Sequence, residues 1–312
     1  ANLGSQVSFA LVDHKDVGML YERAIKELPR DIEGKDWSDL QRHYTPVAIA
    51  ERMLELLPLE RLRPEDRVIF DPAAGSGSLL LAATSRLAGM SDIPEDINQR
   101  NLYLKSHVAG NDLDQYAHLV TQLRYTLARE SLGEAVTFPF PSYFSHEDYE
   151  NLNKANMGIK PRVIVANPPF AEDGNTQRAA KFIEKALSWL EKDDQFAFIL
   201  PQSFLTGSSH GIPDARKLLT ENSKIFEVWQ LPAGNVGIEA KQDVCVILGS
   251  IGKAKITFPI ASRAIFSQIR IPDTRENGFL GTTWISQLNF NVNSLVSITA
   301  PPIPIPVLTV PL

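Results

Sequence analysis

One cysteine, six scattered histidines and no apolar run of membrane length rule out several kinds of protein at once. With Cys245 as its single thiol the chain can form no internal disulfide, so its stability has to come from a packed core. Cys245 sits in Val244-Cys245-Val246-Ile247-Leu248, which reads as a buried strand, and a thiol there is a small apolar group rather than a nucleophile. His14, His43, His107, His118, His146 and His210 show no metal-ligand spacing, so no metal site is expected. Lacking both a bilayer-spanning stretch and a signal-peptide pattern, the chain is expected to be soluble and cytoplasmic, with no membrane partner. A basic run is missing too. Net charge is −6, an awkward balance for a protein that must hold a polyanion unaided.

What the chain does have is 312 residues, 44% of them hydrophobic, enough for one large α/β domain with a smaller helical preface. Its most informative stretch is Asn167-Pro168-Pro169-Phe170, directly after the apolar run Val163-Ile164-Val165-Ala166. The pattern predicts a buried strand that delivers an amide and an aromatic ring to its end. Two prolines fix their own backbone angles, hold Asn167 extended and leave carbonyl oxygens with no neighbouring N–H. Such a turn can accept hydrogen bonds from an exocyclic amine while Phe170 stacks on the ring that carries it. Taken alone, an ordinary strand-to-loop turn explains the tetrapeptide equally well.

Two more turns carry chemistry. Val68-Ile69-Phe70-Asp71-Pro72-Ala73-Ala74-Gly75-Ser76-Gly77-Ser78 reads as an apolar strand, a glycine turn and the start of a helix over 79–87. Gly75 and Gly77 would let the backbone approach a ligand, and the helix N-terminus favours a negative group such as a carboxylate. A βα turn without a ligand has the same local pattern. Farther on, Ser106-His107-Val108-Ala109-Gly110 reads as a short strand ending near Asp112 and Asp114. An acid at the end of a second strand can hold both hydroxyls of a ribose, a role given to Asp112, whereas Asp114 is placed to cap a helix over 115–130. Downstream, Ala179, Ala180, Ile183, Ala186, Leu187 and Leu190 fall at helical spacing. Strands are expected over 195–201, 225–231 and 243–249, with a helix near 214–221 between the first two. This alternation implies a mostly parallel sheet covered on both faces.

In their order these pieces resemble the N6-adenine DNA methyltransferases that use S-adenosylmethionine. His43-Tyr44-Thr45-Pro46, followed by an amphipathic stretch over 47–57, looks like the Tyr-Thr-Pro element of that family, which precedes the glycine loop and contacts the methionine end of the cofactor. The sequence of upstream motif, glycine loop, acidic turn and Asn-Pro-Pro-Phe is similar to the gamma arrangement. That arrangement occurs in modification subunits of type I restriction systems and in fused restriction-modification enzymes. The resemblance covers about residues 17 to 250. It implies a Rossmann-like α/β fold with a mostly parallel seven-stranded sheet and helices on both faces. Residues 1–42 would be a helical preface, 43–250 the catalytic domain and 251–312 a proline-rich extension. Tyr44, Thr45, Pro46, Asp71, Ala73, Gly75, Ser76, Gly77 and Asp112 would bind S-adenosylmethionine, while Asn167, Pro168, Pro169 and Phe170 would act on a flipped adenine. The competing readings are a methyltransferase for RNA or protein, which generally lacks the upstream element, and a subunit that keeps the pocket without catalysis.

The chain departs from the family in two places. Members commonly carry an Asp after the third strand; here the strand read over 135–140 is followed by Ser142, with Asp148 farther on. A second aromatic that sandwiches the base is absent from Gly234-Asn235-Val236-Gly237-Ile238. The proline-broken segment after Ser250 is too short for a target-recognition domain. Duplex DNA as partner therefore calls for a specificity subunit or a further domain, unless Arg162, Arg178 and Lys181 make a sufficient local patch.

Overall fold

The computed structural model describes residues 45–128, 138–169, 177–206, 211–231 and 243–252, the backbone of strands 260–265 and 284–290, and positions 15, 17, 18, 20 and 21, which are helical. Its centre is a sheet of nine strands: β1 Ile69–Asp71, β2 Val108–Asn111, β3 Tyr143–Ser145, β4 Val163–Ala166, β5 Gln195–Pro201, β6 Ser223–Leu231, β7 Val244–Ile251, β8 Ile260–Ile265 and β9 Trp284–Phe290. Their order is β3-β2-β1-β4-β5-β7-β6-β8-β9. From β3 to β5 every pairing is parallel, whereas β7 enters between β5 and β6 antiparallel to both. Seven strands make the expected core. β8 and β9 come from the segment read as an extension and prolong the sheet, β8 pairing parallel with β6. Added strands of this kind satisfy the N–H and C=O groups that an edge would leave open.

The middle strands are buried along their whole length and mostly apolar because both faces are covered. All of β1, β2, β4 and β5 is buried, in keeping with parallel strands that read as continuous hydrophobic runs. Besides the helical positions near the N-terminus, the described residues form seven α-helices: α1 Val47–Leu56, α2 Ser78–Ala88, α3 Ile97–His107, α4 Gln115–Leu127, α5 Gln177–Trp189, α6 Ser203–Thr206 and α7 Ile212–Asn222. The apolar stripe of α5 behaves as its spacing predicts, with Ala179, Ile183 and Ala186 fully buried. Cys245 is also fully buried in β7, where desolvation pushes its thiol pKa far up and leaves it chemically inert.

Two local expectations are corrected. Ser106 and His107 end helix α3 rather than opening β2. Its apolar residues form no stripe; the start is set by Asp96, whose carboxylate accepts from the backbone N–H groups of Asn98 (3.1 Å) and Gln99 (3.0 Å). The third strand is Tyr143–Ser145, not 135–140: residues 138–140 have no regular structure, and 135–137 lie outside the described residues. Pro139 and Pro141 cannot donate to a ladder, so pairing with β2 begins beyond them, at Ala109 opposite Tyr143. Ser142 therefore precedes β3, and the acids that follow the strand are Glu147 and Asp148.

Of the preface, the described positions form a helix against α4. The Tyr21 hydroxyl donates to the carboxylate of Asp114, and Gly18 lies so close to the Arg124 guanidinium that a Cβ there would sit 2.9 Å from Cζ.

Candidate active site

The carboxyl ends of β1 and β4 open on a cleft. Thr45 and Asn167 line one side, Asp71 is on its wall, and the turn from Ala73 to Leu79 forms the rest. Crevices at this end of a parallel sheet are where doubly wound folds take their ligands.

Asp71 ends β1 and is 1% exposed. One carboxylate oxygen accepts from Ala73 N (3.0 Å); the other, Oδ2, is buried with no hydrogen-bond partner among the described residues. Desolvation raises its pKa well above the carboxylate range; the Ala73 N–H opposes this and the nearby Asp112 charge adds to it. A buried acid held this way is matched by a cationic ligand group. The folded chain keeps the Asp71 proton to higher pH than the unfolded chain does. That contribution to stability is complete below the ordinary carboxylate pKa of about 3.9 and is lost as pH rises through the elevated value. Asp71→Asn removes the dependence. The melting-temperature difference between variant and parent is expected to move in the variant's favour as pH rises from about 5 to 9, while affinity for a cationic ligand falls. A difference that stays flat across that range would refute the assignment.

Past Asp71 the chain turns tightly. Gly75 and Gly77 have φ of 52° and 80°, a region that costs little only for glycine. Gly77 is the N-cap of α2 and supplies no side-chain cap, so the first-turn N–H groups are left for a ligand at the cleft that Ser76, Ser78 and Leu79 line. The turn is held from two directions. Asp112 Oδ2 accepts from Gly75 N (2.7 Å) and Oδ1 from Asp114 N (2.8 Å), so the half-buried acid is fixed directly behind the glycines. Asp114 caps α4 by accepting from Tyr116 N (3.0 Å), as its position suggested.

From the other side comes Arg124 of α4, fully buried, whose Nη1 donates to the Ser76 carbonyl (2.5 Å) and to the hydroxyls of Ser76 and Ser78 (3.1 Å each). The sequence reading missed this residue. Its signal was a charge on the inward face of a helix, in step with Ala117, Thr121 and Tyr125. Asn111 was missed likewise. Its Nδ2 donates to the Pro72 and Glu147 carbonyls (3.0 Å each) and its Oδ1 accepts from Ser145 Oγ (2.7 Å), tying the ends of β1, β2 and β3 together.

Thr45 and Pro46 enter the site just ahead of α1, both buried, and the Pro46 carbonyl accepts from Ile49 and Ala50 N (3.0 Å each) to start that helix. Asn167 follows β4. Its Nδ2 donates to Thr45 Oγ1 at 3.0 Å, joining residues 122 apart in the chain. Pro168 is buried and Pro169 half-buried beside it. Thr45, Asp71, Ala73, Gly75, Ser76 and Asn167 thus line one cleft, with Gly77 and Asp112 supporting its turn. Tyr44 and Phe170 lie outside the described residues, as does the segment 234–238. Arg162, a candidate for phosphate binding, is already ion-paired with Asp194 and with Asp66 (3.6 Å).

The cleft suits S-adenosylmethionine in its donor set. A buried carboxylate oxygen with no hydrogen-bond partner among the described residues answers an ammonium; first-turn N–H groups with no side-chain cap answer a carboxylate; the positive φ of Gly75 and Gly77 bends the backbone around the cleft. Residues 13–257 match the N-6 DNA Methylase family. The chain is 25% identical over 183 residues to the type II restriction enzyme and methyltransferase RM.BcgI of Heyndrickxia coagulans, covering 56% of this chain and 26% of that protein. It is 27% identical over 142 residues to the methylase subunit of the type I restriction enzyme MjaVIII of Methanocaldococcus jannaschii, covering 46% and 22%. The chain thus spans about a quarter of the length of these relatives. In fold it is similar to the protein of the DrdV–DNA complex (TM-score 0.58, 18% identity, 83% of this chain and 30% of that one). It is also similar to the EcoKI M protein (TM-score 0.53, 14% identity, 81% and 59%). Strand order, an acid-and-glycine turn after β1 and an Asn-Pro-Pro turn after β4 agree with a match that runs through most of the chain: the protein belongs to the N-6 DNA Methylase family.

Proposed function

We propose that this chain carries the methyl-transfer site of a DNA adenine-N6 methyltransferase, the modification part of a restriction-modification system, and that its cofactor is S-adenosylmethionine. The observation that supports the reading most directly is the meeting of Asn167 with Thr45 in the cleft walled by Asp71 and the glycine turn. When bound, the cofactor supplies an electrophilic methyl group on a sulfonium. Asp71 would take its ammonium, the first turn of α2 with Thr45 its carboxylate, and Asp112 the ribose hydroxyls.

Adenine N6 is a poor nucleophile because its lone pair is delocalised into the ring. Asn167 Oδ1 and the Pro168 carbonyl, accepting its two hydrogens, would draw the nitrogen toward tetrahedral geometry and free the lone pair for attack. No strong general base is then needed, and alignment can supply up to roughly 7–11 kcal/mol of the barrier. Phe170 would stack on the extruded base and offset part of the few kcal/mol that flipping costs.

The charge of −6 and the pairing of Arg162 support a reading in which a specificity subunit or a target-recognition domain supplies the main grip on duplex DNA.

Calorimetry tests the cofactor half: the chain by itself is expected to bind S-adenosylmethionine, and Asp112→Ala to weaken binding by about 1–3 kcal/mol. The substrate half is tested by digesting DNA from cells that express the chain with its partner and assaying N6-methyladenine by mass spectrometry. Binding without the modified base would leave a methyltransferase of another substrate class.

A further inference from the structure

Asn111 uses every hydrogen-bonding position that a carboxamide has. Besides the bonds from Nδ2 to the Pro72 and Glu147 carbonyls and from Ser145 Oγ to Oδ1, the backbone N–H of Glu147 donates to Oδ1 (3.1 Å). Its partners therefore assign both ends of the amide: two carbonyl oxygens can face only its N–H groups, and an N–H can face only its oxygen. The residue is 1% exposed, and a fully satisfied polar group at such depth is rigid.

Those bonds join two separate turns. Pro72 opens the turn after β1, which carries Ala74 and Gly75, and Glu147 lies in the turn after β3. The first turn is held further by the Asn111 carbonyl, which accepts from Ala74 N (2.9 Å), and by Asp112 Oδ2 on Gly75 N. The second is held by the Ser145 carbonyl, which accepts from Asp112 N (3.1 Å). β2 lies between β1 and β3, so the side chain of its last residue, Asn111, stands between the two turns.

We infer that Asn111 is a positioning residue for the cofactor: it clasps the turn after β3 to the turn after β1, so the strand ends that a nucleoside-bearing amino acid must span are set before the ligand arrives. The inference rests on the function proposed above. With the amino-acid end at Asp71 and α2 and the ribose at Asp112, the strand order points the rest of the nucleoside away from β4 and toward β3. A turn that ordered itself only on binding would take that entropy cost out of affinity, whereas a clasped turn has little left to lose.

Two measurements on the full chain test this. Amide hydrogen exchange of the ligand-free protein is expected to show the Ala74 and Glu147 N–H groups already protected, with S-adenosylhomocysteine adding little. Free exchange that slows only when the ligand is present would mean that the ligand, not Asn111, orders the turns.

The second measurement is the affinity of Asn111→Asp for S-adenosylhomocysteine, by calorimetry well below the melting temperature. Ionised, the new carboxylate still accepts from Ser145 Oγ and Glu147 N but sets an oxygen against the Pro72 and Glu147 carbonyls; protonated, it can donate to one of them. The closed clasp thus favours the protonated form and raises the new group's pKa above the usual carboxylate value of about 3.9. Affinity relative to the parent is expected to be nearest parity at about pH 5 and to fall by roughly tenfold or more toward about pH 8. Asp71, Asp112, His146, Glu147 and His118, which meets His146 from α4, titrate in both chains and cancel in the ratio. A variant that melts lower yet binds like the parent at every pH would make Asn111 a structural residue only. A deficit that does not change with pH would deny the bonds to the two carbonyls the part given to them. The exchange measurement needs no substitution, so it decides the matter if the variant fails to fold. A parent that binds no S-adenosylhomocysteine removes the cofactor reading and the role of Asn111 with it, whereas a failure confined to the variant or to the exchange pattern leaves the proposed function intact.

Discussion

Asn167→Ala is expected to lower the single-turnover rate of methyl transfer by at least roughly 10²–10³-fold, the scale seen when one aligned electrostatic partner is removed from a reacting centre, with cofactor affinity little changed. The side chain reaches the cleft from β4 and spends its Nδ2 on Thr45, so truncation removes the acceptor for the target amine without disturbing Asp71, the glycine turn or Asp112. The deficit belongs in the chemical step rather than in binding. Single-turnover assays on DNA with the partner present, beside calorimetry of the cofactor, separate the two. A variant that methylates near the parental rate would remove Asn167 from the mechanism.

The second large effect is expected at Gly77. An alanine there must adopt φ 80°, which costs roughly 1–2 kcal/mol for an L-residue. Its Cβ would meet Thr121 Cγ2 at 2.5 Å and Oγ1 at 2.7 Å, and overpacking of this kind adds about 1–3 kcal/mol. Together these are a large part of a typical domain stability of about 5–15 kcal/mol. Any relief that moves the turn pulls Ser76 away from Arg124 and Gly75 away from Asp112, so cofactor affinity should fall along with melting temperature. Combining Gly77→Ala with Thr121→Ala should recover most of the steric share, the Thr121 Cβ at 3.0 Å remaining, and leave the conformational one. If Gly77→Ala melts and binds like the parent, the turn is not as constrained as its geometry requires.

Much of the site was legible because its signals are local. A strand followed by Asn-Pro-Pro needs only the prolines' fixed angles to present Asn167, and the Asp71-to-Ser78 turn needs only glycines before a helix. Asp114 behaved as the cap its place before α4 indicated. The losses have a common cause. Helix α3 is amphipathic in no useful sense, so its start depends on the Asp96 cap alone, a signal that periodicity does not contain. Arg124 was not singled out, because its role exists only where α4 packs against the glycine turn.

By itself the sequence determined β1, β2, β4 to β7 and most of the helices between them, the buried parallel centre, and the glycine and Asn-Pro-Pro turns that meet at the cleft, because these follow from side-chain period, turn chemistry and motif order within short windows. Only the tertiary structure decided where β3 begins, that β7 lies antiparallel between β5 and β6, and that β8 and β9 prolong the sheet. Register and strand order are properties of pairs, and the partner strand is what selects among the pairings that a single segment allows. The same holds for the bond from Asn167 to Thr45, across 122 residues: each was readable as a candidate, but their contact exists only because β4 and the entry to α1 reach the same end of one sheet.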